Sequence, residues 1–197
     1  MSTRNQVLRL LRGSPADRIR FSFPFSAGTV VITPASFRRV AQAIESGKVQ
    51  LNVTKAFPPG VAGTYQSGTP NTLSVAPLLG RVEEGLLLHE CTHAVFDLTK
   101  TLLTDNEDEA AAYVVDALFF RMTSLKHPRW NAEPHASAGP VADALLLEYQ
   151  KGGVPVPAVD GKLFAALRMA VMFHPVYFGG NSGPLGVLLG RQTGHDG

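Results

Sequence analysis

The stretch Leu86-Leu87-Leu88-His89-Glu90-Cys91-Thr92-His93-Ala94-Val95-Phe96-Asp97-Leu98 constrains this chain more than any other. It has no proline and no glycine, and its apolar residues predict a long helix over 81–100. On such a helix His89 and His93 are four residues apart and share one face. Two imidazoles and a carboxylate set among Leu, Ala and Val are costly to bury unless each finds a partner. Any fold this chain adopts has to provide those partners.

A metal ion is the simplest provider. Neutral imidazole is a standard zinc ligand at about 2.0–2.1 Å, and two of them one turn apart converge on a single ion. Glu90 lies one step round the helix, placed to take a proton from water rather than to ligate. The pattern His-Glu-x-x-His therefore reads as two metal ligands, His89 and His93, around a catalytic base, Glu90, with Zn2+ as the cofactor. Cys91 groups with Leu87, Val95 and Leu98 and is expected as buried packing. Asp97 lies near a helix C-terminus, where an acid is mildly unfavourable. It is expected to be solvated, or to have a partner such as His93 or a backbone donor.

A site of this kind needs a third protein ligand. The segment Asp105-Asn106-Glu107-Asp108-Glu109-Ala110-Ala111-Ala112 opens the next predicted helix, 106–124. Glu109 is the favoured ligand, because the alanines after it allow close packing against the histidine-bearing helix. The connection is short, so the two helices should be antiparallel. Glu109 is also the third position after an Asn106 N-cap, which gives it a rival role in a capping box. Glu107 and Asp116 are rival ligands. Asp116, seven residues beyond Glu109, is alternatively an acceptor for the second ring N–H of a ligand histidine. Tyr113, His135, His174 and Tyr177 are candidates to stabilise an oxyanion. His174 and Tyr177 are preferred, because they end a helix and enter a Gly-rich loop.

The rest of the chain predicts an α+β fold with a mostly antiparallel N-terminal sheet and one helix, then a helical half. Residues 18–25 alternate and 29–33 are β-branched, with a turn at Ala27-Gly28. Thr33-Pro34 starts a helix that Gly47 ends. Residues 48–54 and 72–76 read as strands, and 56–72 as loop. Helices are expected over 138–151 and 160–173. Residues 1–178 read as one domain and 179–197 as a loose Gly-rich tail. The 18 basic and 16 acidic side chains nearly balance and form no basic run, so nucleic acid is not implied. No apolar run is long enough for a bilayer. The start lacks the apolar core of a secretory signal, so the default address is the cytoplasm, with signal-independent export open. One cysteine allows no intramolecular disulfide.

His89-Glu90-Cys91-Thr92-His93, followed by Glu109-Ala110-Ala111-Ala112, resembles the zincin metallopeptidases of the gluzincin, thermolysin-like kind. The likeness spans 86–116. The resemblance implies zinc held by His89, His93 and Glu109, water activated by Glu90, and an extended peptide or protein substrate lying along a cleft-edge strand, for which 72–76 is the expected counterpart. The metzincin pattern does not apply, since Phe96 and Thr99 stand where it needs Gly and His. The expected activity is a zinc-dependent metallopeptidase. The alternatives are an exported effector or toxin protease with one target, and an inactive metal-binding scaffold. Cleavage specificity and oligomeric state are not readable from the sequence.

Overall fold

Ser2 opens the chain's first helix by accepting a hydrogen bond from the Asn5 N–H at 3.4 Å. In the computed structural model, which describes residues 1–25, 27–55, 57, 63–77, 80–126 and 129–175, helix α1 (Thr3–Arg12) therefore precedes any strand. Val7, Leu10 and Leu11 bury one side of it, and Arg9 and Arg12 suit its C-terminal dipole. The expectation of a single N-terminal helix is corrected here: the interrupted apolar pairs are a helical stripe.

Strands β1 (Phe21–Phe25) and β2 (Gly28–Ile32) form an antiparallel hairpin, with Phe23 opposite Val30. On its other side β1 meets residues 157–159. The Ser22 N–H donates to the Pro157 carbonyl at 2.9 Å, and the Val159 N–H donates to the Ser22 carbonyl at 2.8 Å. Helix α2 (Pro34–Glu45) starts behind Thr33, whose N–H donates to Ser36 Oγ at 3.2 Å. Gly47, at φ +77°, turns the chain out of it in the left-handed region glycine favours.

Strands β3 (Val49–Val53), β4 (Gly63–Gln66) and β5 (Asn71–Val75) form a second sheet in the order β3-β5-β4. β5 runs parallel to β3 and antiparallel to β4. One expectation is corrected. The segment read as loop contains β4, a four-residue strand hidden among Pro, Gly and Ser. β5, which covers the expected strand 72–76, is the centre of this sheet, and β3 and β4 are its edges.

Helices α3 (Arg81–Thr99), α4 (Asp105–Met122), α5 (His135–Lys151) and α6 (Gly161–Met172) complete the α+β architecture. α4 is the central element. Val114, Val115, Leu118, Phe119 and Phe120 are all fully buried, and α3, α5 and α6 pack round it. Where α3 crosses α4, a Cβ on Gly85 would come within 2.6 Å of Phe120 Cε2 and 3.0 Å of Asp116 Oδ1. The bare glycine thus sets how closely these helices approach. Phe23 packs on Phe96 of α3 and Phe164 of α6, with ring centroids 6.4 and 4.9 Å apart, which ties the hairpin to the helical core. Among the described residues no helix is long and apolar enough to cross a membrane. The expected tail, 179–197, lies outside the described residues.

Candidate metal centre

Residues 100–104 join α3 to α4, and so short a link makes the helices antiparallel neighbours. Lys100 reverses the chain at φ 51°, with the Thr101 N–H bonded to the Phe96 carbonyl at 2.9 Å. α4 then begins two residues earlier than a cap at Asn106 would place it. Thr104 is the N-cap and Glu107 the third residue of the box. The Thr104 N–H donates to Glu107 Oε2 at 3.0 Å, and the Thr104 hydroxyl to the same oxygen at 2.8 Å. The expected Asn106–Glu109 capping box is therefore corrected.

That shift has a direct consequence for the site. Glu107, a rival ligand, is held by its own cap and by Arg168 Nη1 at 3.3 Å. Glu109 sits in the second turn, facing α3. Its Oε2 lies 3.4 Å from His89 Nε2 and its Oε1 lies 3.8 Å from His93 Nε2. One ligand atom from each of His89, His93 and Glu109 falls within 4.8 Å of the others. Two donors each about 2.1 Å from one ion, at a near-tetrahedral angle, are about 3.4 Å apart. The donor set and its spacing fit a metal ion, and the three residues form a group able to hold one. Among the described residues no fourth His, Cys, Asp or Glu joins them.

The residue that orients His93 is Asp108. Its Oδ1 is 2.7 Å from His93 Nδ1. A neutral His93 then donates from Nδ1 and leaves the Nε2 lone pair facing Glu109. Asp116 was expected as a possible partner for a ligand histidine. It lies instead 3.4 Å from His135 Nε2, outside the metal group. Asp97 is 1% exposed, and its partners among the described residues are side chains other than His93. It accepts from the Tyr65 hydroxyl at 2.6 Å and from the Asn71 amide, with Lys100 Nζ at 3.4 Å. Cys91 is fully buried, and burial pushes its thiol far above the ordinary range, so it stays neutral.

Glu90 faces β4. The Tyr65 N–H donates to Glu90 Oε2 at 2.8 Å, and a Cβ on Gly63 would come within 3.1 Å of Glu90 Cγ. Tyr65 thus spans two turns of α3, holding Glu90 with its main chain and Asp97 with its side chain. Burial raises the Glu90 carboxyl above the carboxylate range; the charges of His89 and His93 pull it back only in part. Burial opposes charge on His93 too, but Asp108 and Glu109 outweigh it and raise the ring to about 10. His89 is raised, against its burial, by Glu109. Burial pushes the Glu109 carboxyl up, and the two histidines overcome this and lower it.

Of the four candidates for oxyanion stabilisation, Tyr113 lies beside His89, and His135 lies one ring further out. The Tyr113 ring stands edge-on to His89, with centroids 4.9 Å apart, and His135 stands edge-on to Tyr113 at 5.0 Å. Tyr113 is one turn beyond Glu109, so the helix that presents the ligand presents the ring. His135 is buried in the first turn of α5, which starts three residues before the predicted boundary. His174, just after α6, is half-buried and does not join the metal group. Tyr177 lies outside the described residues. The signal in the sequence for the Tyr113 position is its four-residue spacing from Glu109. No protein-family model, no curated protein and no solved structure matches this chain.

Proposed function

We propose that this protein is a zinc-dependent hydrolase that cleaves peptide bonds. The observation that carries the reading is the convergence of His89, His93 and Glu109 from two antiparallel helices, with Glu90 fixed beside them. Two imidazoles and one carboxylate are a donor set used by catalytic zinc, which keeps a position for water, whereas structural sites are closed by four protein ligands. Bound here, zinc would supply a Lewis acid that acidifies water and polarises a carbonyl.

The chain's own residues account for the remaining steps. Glu90, its Oε2 anchored by Tyr65, takes a proton from the attacking water and returns it to the leaving amine. Its raised carboxyl suits both directions of transfer. Asp108 holds His93 in the tautomer that presents Nε2. Tyr113, beside His89, is the neighbouring group with a polar atom to offer a developing oxyanion. A peptide substrate is supported by β4. The Tyr65 N–H points away from β5 and is taken by Glu90, so an extended chain added to the outer edge of β4 would run past the proposed base.

The test is metal content by mass spectrometry on protein purified without added metal, beside His89→Ala, followed by hydrolysis of a quenched-fluorescence peptide library. About one zinc per chain, lost in the variant, with metal-dependent cleavage, is the expected result. No uptake at micromolar zinc would overturn the metal reading. Tight zinc without cleavage of any peptide would leave the scaffold.

A further inference from the structure

A second cavity lies away from the metal group, between the hairpin and the α3 C-terminus. Its volume is about 560 Å³, within the usual range of ligand pockets, about 300–1,000 Å³. Three consecutive residues of β2, Thr29, Val30 and Val31, line it. Side chains alternate across a strand, so a cavity on one face would meet every second residue. Contact with three in a row means that the cavity runs along the strand's edge.

The hydrogen bonding of the hairpin agrees. Ser22 directs its N–H and carbonyl away from β2, toward Pro157 and Val159. The register pairs Ser22 with Val31, and Pro24, which has no N–H, with Thr29. Those are the non-hydrogen-bonded pairs, so the main-chain groups of Thr29 and Val31 point outward from the hairpin. Among the described residues no strand pairs with that edge. The opposite wall holds Val95 and Phe96 as an apolar floor, with Arg39 and Lys100 as its cations. Among the described residues no acidic side chain lines the cavity. Lys100 is 66% exposed and shares its charge with Asp97; Arg39 is exposed on α2.

We infer that this trench binds an extended acidic peptide segment, which adds as a third strand to the outer edge of β2. Strand addition takes its affinity from main-chain hydrogen bonds and its selectivity from alternate side chains. Here Thr29 and Val31 supply the first, and Arg39 and Lys100 select carboxylates. None of His89, His93, Glu90 and Glu109 is part of the trench, so the inference stands or falls apart from the metal chemistry.

The experiment is fluorescence anisotropy of the whole chain with two labelled peptides, one of alternating Glu and Val, the other of alternating Lys and Val. Two variants accompany it. Val31→Pro removes an outward N–H, a change edge strands tolerate, and Arg39→Glu reverses the trench charge. The acidic peptide should bind saturably below about 1 mM, the basic one should not, and each variant should weaken acidic binding about tenfold or more. Equal binding of both peptides, binding of neither, or acidic binding unchanged in the variants would overturn the inference. If Val31→Pro does not fold, Arg39→Glu decides, because that side chain is exposed and supports no core contact.

Discussion

The main-chain N–H of Tyr65 donates to Glu90 Oε2 at 2.8 Å, so an edge strand fixes the carboxylate next to the group able to hold a metal. That backbone donor is untouched by any substitution at Glu90. The Glu90 side chain can therefore be altered while its anchor stays. Glu90→Gln keeps an oxygen for Tyr65 and loses the proton acceptor. It should hold as much metal as the parent and lose peptide cleavage by about 10²–10⁴-fold. Parallel metal analysis and kinetics check this, and a fully active variant would remove Glu90 from the mechanism.

Asp108 acts through His93. Asp108→Asn keeps the shape but weakens the charge that holds the ring. Metal affinity should fall by about 10–100-fold, read by competition against a chromophoric chelator. An unchanged affinity would mean that helix packing alone orients His93.

Metal binding should also be linked to protons. In the metal-free protein His93 is raised from the ordinary 6.5 to about 10 by Asp108 and Glu109, against its burial. A group raised on folding stabilises the fold fully below its unfolded value. That contribution is lost as pH climbs from about 6.5 toward about 10. A bound ion displaces the same proton and any on His89, which Glu109 also raises, so metal affinity should weaken as pH falls, with about one to two protons released per ion near pH 7–8. Calorimetric titration in buffers of different ionisation enthalpy measures that release; enthalpies that do not depend on buffer would contradict it.

The α3–α4 contact sets a sharp steric limit. Gly85→Ala drives a methyl toward Phe120 and Asp116. Overpacking of this kind costs about 1–3 kcal/mol, and at about 2–4 °C per kcal/mol Tm should drop by about 2–12 °C. Thermal unfolding in the presence of chelator separates this loss from any effect on metal. An unchanged Tm would show that the helices slide apart freely.

Tyr65→Phe separates anchor from scaffold. It removes a donor from buried Asp97 and leaves the N–H that holds Glu90. Stability should fall by about 1–3 kcal/mol, while metal content stays at the parental level. Loss of metal in this variant would show that the Asp97 network supports the ligands as well as the strand.

Much of this arrangement is legible in the sequence because it depends on local rules. The spacing of His89 and His93 requires only a helix, and the short 100–104 link requires only that the next helix return alongside. The α+β order of elements follows from alternation first and 3.6-residue periodicity later. What escaped depended on competition or distance. The sequence points to a capping box at Asn106-x-x-Glu109, whereas the chain forms it at Thr104-x-x-Glu107. The threonine hydroxyl won, and its earlier start frees Glu109 and puts Asp108 under His93. β4 is four residues long, too short for alternation to stand out from its Gly and Pro neighbours. Its role comes from where it docks on α3. His135 meets Tyr113 only because α5 returns across α4, a contact with no trace in local pattern.

The close pairing of α3 and α4 has one more consequence. His89 and His93 come from one helix and Glu109 from the other, so an ion held by all three is a clasp across the central helix pair. A ligand bound only by the folded chain adds stability with its logarithm, about 4.1 kcal/mol at a thousandfold excess over Kd. Free metal concentration would then set how firmly the whole core is shut, and a chelator would act on this protein as a denaturant does.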